Sequence, residues 1–320
     1  GRWGPICTRG GVKKNSGIET AEEKRRFVRD HLGEFGSIRE ACKAVGLKMS
    51  TYNYKPRTDL YAKARAEADL KGTIEGIHYD FPYYGYRRIH EHLLRTTGEV
   101  INCKRLRRIM DKYGLRPVTK QSFKIATTDS NHNRPVYPNL IEGMAINNIN
   151  QVWVSDITYI RISTCFIFLA VIMDLYSRKI IGWGISKSLK SDLCVRALKA
   201  AIASRSVPKG CIHHSDRGVQ YASNVYVQLL TEHHFHISMS RKGNPYDNAY
   251  CESLMKTLKY EEIHLKEYET VTDVIENLPK FMEDVYNKKR IHSSLGYATP
   301  EEFERKILTL PAEQRPIQEI

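Results

Sequence analysis

Three carboxylates stand where their type and setting could do chemistry. Asp156 ends an apolar strand in Trp153-Val-Ser-Asp-Ile-Thr158. Asp216 follows the short run from Cys211 to Ser215 and opens the loop Arg217-Gly-Val-Gln-Tyr221, while Glu252 lies on a predicted helix. Carboxylates at strand ends beside loops are where an α/β sheet places reactive groups. On the helix, Asn248, Glu252, Lys256 and Lys259 share one face, and Tyr250, Leu254 and Leu258 fall opposite, where a core would be. An acid that ligates a metal, with cations a turn or two away, suits a nucleic-acid strand running past a metal site. Taken alone, the stripe reads better as an i,i+4 Glu–Lys pair on a solvent face.

Other residues surround these acids. Arg217 lies in the loop after Asp216, and Arg241, Lys242 and Asn244 occupy a glycine-containing loop ahead of the helix, read as phosphate contacts. His213 and His214 adjoin Asp216, and packing at a strand end outweighs a metal-ligand role for them. Asp174 is expected to shape a turn with Ser177, and Asp247 to cap the helix that carries Glu252. Trp153 and Tyr246 are expected to form core or wall, with base stacking as the sharper alternative.

The chain has 320 residues, enough for two or three domains. Lys plus Arg is 50 against 36 acids, a formal charge of 50 − 36 = +14. Such an excess points to a polyanionic partner, nucleic acid first, through counterion release. An apolar share of 41% excludes wholesale disorder. The longest apolar run, Phe166 to Met173, is far short of the roughly 20 residues that span a bilayer, and no signal peptide is visible. Seven scattered cysteines without a C-x-x-C pair argue against a disulfide framework or a zinc site, and for a reducing cytoplasm.

The elements that must position the acids follow from periodicity. Residues 1–16 read as a flexible tail. Residues 17–57 read as a helix-turn-helix: a helix over Glu19–Leu32, a second opened by a Ser37/Glu40 capping box, a turn at Gly46, and a short helix from about Met49. Ser50, Thr51, Tyr52 and Lys55 are its candidate DNA contacts, with a plain helical hairpin as the even alternative. Residues 58–117 repeat the theme over Leu60–Lys71, Tyr84–Leu94 and Cys103–Tyr113. Residues 101–125 hold eight Lys or Arg and one acid, Asp111. Leu106, Ile109, Met110 and Tyr113 form one buried stripe, leaving Lys104, Arg105, Arg107 and Arg108 on a cationic remainder suited to phosphate, with Arg87 and Arg88 one helix earlier. Residues 118–149, with Lys120, Lys124 and Arg134, read as a linker or extended arm. Residues 150–305 carry three strands in meander order (Gln151–Ile160, Cys165–Met173, Lys179–Ser186) and a helix over Ser191–Ala203. A strand over Gly210–His214 follows, then helices near 222–234 and 246–260 and an amphipathic run over 271–289. This is an α/β layer fold, with 306–320 as a C-terminal tail.

Several longer motifs add a resemblance. Trp153-Val-Ser-Asp-Ile-Thr-Tyr159, His214-Ser-Asp-Arg-Gly-Val-Gln-Tyr221, Ser238-Met-Ser-Arg-Lys-Gly-Asn-Pro-Tyr-Asp-Asn-Ala249, Glu252, Lys259 and His292-Ser-Ser-Leu-Gly-Tyr297 together resemble the integrase core of the insertion-sequence family numbered three, which are bacterial DDE transposases. Tyr84-Gly-Tyr-Arg-Arg-Ile89 and Arg105-Leu-Arg-Arg-Ile-Met110 resemble the segment ahead of that core, and Asp129 to Asn139 its linker. The resemblance spans most of the chain. It implies an α/β, RNase H-like integrase core, a mixed sheet flanked by helices, preceded by small all-α helix-turn-helix domains.

The resemblance also implies a chemistry. Asp156, Asp216 and Glu252 match the catalytic, metal-binding triad, expected to hold two Mg²⁺ ions with Mn²⁺ able to substitute. Lys259, about 10 Å further along the helix, is then placed for the DNA strand near the scissile phosphate rather than for the ions. The expected activity is binding of an element's terminal inverted repeats, strand cleavage, and 3′-OH strand transfer through a circular intermediate into target DNA. The expected assembly is at least a dimer on DNA, without a membrane, at the bacterial nucleoid. The family often joins this part by frameshifting to an upstream product with a leucine zipper, and no heptad run is seen here. Lack of a His-His-Cys-Cys spacing sets the chain apart from retroviral integrases. Two rivals remain: a DNA-binding regulator with an inactive core, against which the intact triad stands, and a serine or tyrosine recombinase, which would cut without divalent metal.

Overall fold

The computed structural model describes residues 20–54, 59–118, 134–241 and 244–320. Residues 1–16 and the expected DNA contacts Lys55, Lys120, Lys124 and Lys242 lie outside the described residues. The chain divides into two compact units that meet between Leu70 and Lys71.

The first unit holds α1 (Ala21–Asp30), α2 (Ile38–Ala44), α3 (Met49–Tyr52) and the start of α4 (Leu60–Asp80). Thr20 and Glu23 close a reciprocal capping box at α1. At α2 the expected box is half formed, with Ser37 Oγ accepting from the Glu40 N–H at 3.2 Å. Gly46, at φ +64°, turns the chain toward α3. That helix is a single turn, started at Lys48 without a side-chain cap. Val28, Ala41, Cys42 and Leu47 form the core, with Tyr52 packed against it.

The second unit continues α4, then adds α5 (Tyr86–Thr97) and α6 (Cys103–Lys112). Leu106, Ile109 and Met110 are buried as the periodicity predicts, whereas Tyr113 is exposed. The elements that follow are β1 (Ala145–Ile146), β2 (Val152–Arg161), β3 (Phe166–Asp174), β4 (Ile180–Ser186), α7 (Ser191–Ser204), β5 (Ile212–Ser215), α8 (Asn224–Glu232) and β6 (His236–Met239). The chain then runs through α9 (Ala249–Leu258), α10 (His264–Lys266), α11 (Val271–Lys280), α12 (Pro300–Thr309) and β7 (Gln318–Glu319). The main sheet has the order β4-β3-β2-β5-β6, with β2, β3 and β4 antiparallel and β5 and β6 parallel to β2.

Each face of this mixed sheet carries its own core. One packs Val152, Val154 and Ile160 against Cys251, Leu254, Met255 and Leu258 of α9 and Val274 and Leu278 of α11. The other packs Trp153, Ala170 and Ile172 against Leu193, Ala197 and Ala201 of α7 and Tyr226 and Leu230 of α8. The helix α7 lies so close to β4 that a Cβ on Gly182 would come within 2.7 Å of Ala201 Cβ, so this contact requires glycine.

Three strands were not anticipated. β6 is four residues long with two of them polar, too short for alternation to show. β1 and β7 are two residues each and pair with one another, Ala145 opposite Glu319 and Ile146 opposite Gln318. Residues 138–146, read as linker or arm, are bonded to the core: Met239 N–H donates to Pro138 O at 3.3 Å, and Ile141 and Ile146 are buried.

Candidate active site

The acids are brought together by strand register. β5 pairs with β2 at Val152–Ile212, Trp153–His213 and Val154–His214. That pairing stops two residues short of Asp156 and Asp216, and the two carboxylates lie close enough for their charges to interact. Asp156 is therefore not at a strand end, as the sequence suggested. It lies within the ten residues of β2, beyond the point where the four residues of β5 stop pairing with it.

Each acid is held locally. Asp156 Oδ1 accepts from the Ile157 N–H at 2.8 Å, and Asp216 Oδ1 from the Gly218 N–H at 2.9 Å. A Cβ on Gly218 would stand 2.9 Å from Asp216 Oδ1, so glycine keeps the loop against that carboxylate. Glu252 sits on α9 beside the buried Cys251, half-exposed on the neighbouring face. Burial, then Asp216, and more weakly Glu252, push the Asp156 carboxyl up to about 8. Three acids thus share one neighbourhood with too little positive charge to keep all of them ionised.

The donor set is oxygen only, which suits a hard cation such as Mg²⁺. Among the described residues, no group of three or more Asp, Glu, His or Cys side chains is arranged to hold a metal ion by itself. Mg²⁺ keeps waters and takes substrate oxygens, so one or two carboxylates per ion suffice. The under-compensated Asp156 carboxyl and the hard donors fit that cation.

Lys259 differs from its sequence placement. It opens a π-helical turn, Lys259–Ile263, that continues α9. Its Nζ lies 4.4 Å from the Tyr159 ring centroid. Burial lowers its pKa, and Asp156 opposes that shift. Long helical side chains lean toward the helix N-terminus, which a straight count of helical rise leaves out. Lys256, one turn after Glu252, is exposed.

His213 and His214 are packing residues. His213 Nε2 pairs with Tyr226 OH at 2.9 Å, and His214 uses both ring nitrogens on Ser238 Oγ and Ser240 Oγ at 2.8 and 3.1 Å. Burial drives both pKa values down, to about 3 and about 4. Asp174 shapes its turn as expected, accepting from the Ser177 N–H and Oγ at 3.0 and 3.2 Å. Asp247 does not cap α9. Asn248 is the residue ahead of that helix, and it makes no side-chain cap bond. Asp247 instead binds Arg241, whose guanidinium also meets Glu142 at 2.7 Å, and Asn244 Nδ2 donates to Asp247 at 2.9 Å. The loop cation Arg241 is thus ion-paired within the chain. Arg217 Nε donates to Ser240 O at 2.7 Å. Trp153 is fully buried and is core, while the Tyr246 side chain lies outside the described residues.

The helical segment divides its cations. Arg87, Lys104, Arg105, Arg107 and Arg108 are exposed, with Arg107 3.9 Å from Asp111. Arg88 turns inward to Glu261 at 3.6 Å. Glu261 is buried and accepts from Arg290 Nε and a terminal guanidinium nitrogen at 2.6 and 2.7 Å. Tyr84 OH accepts from the Ile291 N–H at 3.1 Å in the same place. In the first unit Ser50 is exposed, Thr51 O accepts from Arg25 Nε at 2.6 Å, and Tyr52 faces the core.

Sequence reading gave no role to Tyr159 or Glu261. Tyr159 lies three residues after Asp156, and only the fold brings Lys259 onto it. Glu261 left no signal either: it stands beside Glu262, among Lys259, His264 and Lys266, as one more charge on a polar run.

Comparison with known proteins accords with this arrangement. A model of the integrase core domain matches residues 147–245, a second integrase core model matches 233–300, and an HTH-like domain matches 64–123. The chain is 35% identical over 267 residues to the insertion element IS600 uncharacterized 31 kDa protein of Shigella sonnei, covering 83% of this chain and 97% of that one. It is 33% identical over 287 residues to transposase InsF for insertion sequence IS3A of Escherichia coli (strain K12), covering 88% and 98%. A structure of the simian T-cell lymphotropic virus intasome in complex with PP2A regulatory subunit B56 gamma aligns with a TM-score of 0.44 at 17% identity, over 77% of this chain and 78% of that one. With an RNase H-like integrase core behind an HTH-like segment, the chain belongs to the DDE transposases of the IS3 family of insertion sequences.

Proposed function

We propose that the chain binds the ends of its insertion element, cleaves a strand there and joins the exposed 3′-OH to a second phosphodiester. The observation that carries this reading is that Asp216, Glu252 on α9 and Lys259 on the turn that continues it all lie close enough to Asp156 for their charges to interact. Asp156, Asp216 and Glu252 would hold Mg²⁺, two ions with Asp156 shared between them, and Mn²⁺ would substitute. When bound, the ions neutralise the scissile phosphate and acidify the attacking water. Lys259 engages the strand beside the cut. Water cleaves first, and the new 3′-OH then attacks the element's other end, giving a circle before integration into target DNA. No side chain becomes bonded to DNA.

Arg87, Lys104, Arg105, Arg107 and Arg108 hold the terminal inverted repeats, Lys256, Arg217 and Asn244 add contacts from the same unit, and the residues around Ser50 make a separate DNA contact from the first unit. Two ends call for at least two copies of the chain on DNA. The setting is the bacterial cytoplasm, at the nucleoid. Among the described residues no helix is long and apolar enough to cross a membrane.

The test is incubation with Mg²⁺ and end DNA, followed by mapping of the cut strand. A nick at the element's end leaving a free 3′-OH, abolished by EDTA, is expected. Cutting that persists in EDTA with protein attached to DNA would assign a covalent recombinase, and binding without cutting would assign a regulator.

A second outcome follows from Asp156. Its folded pKa lies above the ordinary carboxylate value, so ionising it opposes folding, and its contribution is lost as pH rises from about 4 through about 8. Metal-free Asp156→Asn should melt at least ~2–4 °C above the unsubstituted protein at pH 8, about 1 kcal/mol for a domain of this size. The two should converge near pH 4. Mg²⁺ should raise the melting temperature of the unsubstituted protein more than that of the variant. Equal responses to Mg²⁺ would remove Asp156 from the metal site.

A further inference from the structure

Phe166, at the start of β3, is 42% exposed and sits across the β2–β3 hairpin from Arg161. A single exposed phenylalanine needs no explanation on most surfaces. This one is backed by a continuous chain of contacts that leads to the acids. Its ring meets Tyr159 edge-on, with centroids 5.8 Å apart and planes at 82°. The Tyr159 ring in turn carries the Lys259 ammonium at 4.4 Å, and Lys259 and Asp156 lie close enough for their charges to interact. Unbroken β2–β3 pairing from Trp153–Asp174 out to Arg161–Phe166 makes the hairpin a rigid support.

Each contact has a use toward a nucleotide. An exposed aromatic face stacks a base whatever its identity. A cation–π contact pins a flexible lysine stem, while the ammonium retains N–H donors for a phosphate oxygen. Trp153, the other aromatic beside the acids in sequence, is buried and cannot stack anything. We propose that Phe166, Tyr159 and Lys259 form a subsite for one unpaired nucleotide of the DNA strand at the cut: Phe166 stacks the base, Lys259 holds its phosphate, and Tyr159 positions Lys259. The subsite rests on the reading that Lys259 meets the strand beside the acids. It predicts that the strand is locally unpaired there, since a base within the duplex stack cannot cover the Phe166 ring.

The experiment uses the full chain and a duplex of the element's own terminal DNA carrying 2-aminopurine at the nucleotides flanking the cut. Binding is read by fluorescence in EDTA, and cleavage with Mg²⁺. In the unsubstituted protein, one position should change its fluorescence on binding. Phe166→Ala and Phe166→Leu should lose that change and weaken end engagement by about 5- to 100-fold, whereas Phe166→Trp should keep both. Tyr159→Phe preserves a ring under the ammonium and should cleave normally, while Tyr159→Leu should fall to the level of Lys259→Ala. Melting temperatures on each variant separate these effects from unfolding. Phe166→Leu indistinguishable from the unsubstituted protein would overturn base stacking, and Tyr159→Leu cleaving as well as Tyr159→Phe would overturn the positioning role. If Lys259→Ala itself cleaves normally, the placement of the strand under the proposed function fails, and the subsite fails with it. A defect in Lys259→Ala beside normal Phe166 and Tyr159 variants would sink the subsite alone.

Discussion

Replacing Asp156 or Asp216 with Asn, or Glu252 with Gln, is expected to leave end binding intact and to reduce strand cleavage by about 10³-fold or more. Each change removes a ligand charge with little change of shape. Loss of metal-borne charge stabilisation is worth several kcal/mol, and 1.36 kcal/mol is a factor of ten. With DNA affinity and its salt dependence carried by the cations of α5 and α6, as proposed, gel-shift titrations should scarcely move. The same defect is expected for 3′-OH joining from a pre-cut end, because one set of acids serves both steps. Near-normal cleavage by any one variant would remove that residue from the triad. A variant that cuts poorly but joins normally would show that the two steps use different groups.

The second large effect lies away from the chemistry. Glu261 faces two guanidinium groups, Arg290 in a bidentate pair and Arg88 at 3.6 Å. Glu261 and Arg290 are both buried. Glu261→Gln would leave two cations without their counter-charge, and breaking a buried pair in this way costs about 3–5 kcal/mol. For a unit of this size that lowers the melting temperature by about 6–20 °C. Denaturant unfolding followed by tryptophan fluorescence would measure it. Joint replacement of Glu261, Arg290 and Arg88 by apolar residues should recover much of the loss, since the desolvation penalty disappears with the charges. A Glu261→Gln shift below about 1 kcal/mol would mean that water reaches the cluster.

The strands that position the acids were legible because the signal is local. Alternation over Trp153–Tyr159 and the apolar run ending at Met173 mark β2 and β3 with boundaries close to those observed. The acids were singled out through motif and place in the chain, but the register that sets β5 beside β2 was not legible, because strand pairing between residues some sixty positions apart leaves no local trace. The same limit applies to side chains whose partners are distant. Arg88 reads as one more cation of a basic helix, yet its neighbours in space are Glu261 and Arg290. Asp247 reads as a cap from its distance to the helix, but Arg241 takes up its carboxylate in an ion pair in which both partners are charged. The contact of Lys259 with the Tyr159 ring was not legible either, because helical rise gives the position of a Cα and not the path of a four-carbon stem.

The pairing of β1 with β7 bears on the order of assembly. It joins positions 319 − 145 = 174 residues apart through only two residue pairs. The entropy of closing so long a loop must be met before those pairs return anything, so contacts of this kind form late in folding. Once formed, a ladder of two pairs is among the first to open. In hydrogen exchange, the Ile320 amide, which donates to Met144 O at 3.0 Å, should therefore exchange long before the amides at the centre of β3. The central sheet can then mature while this seam opens and closes many times.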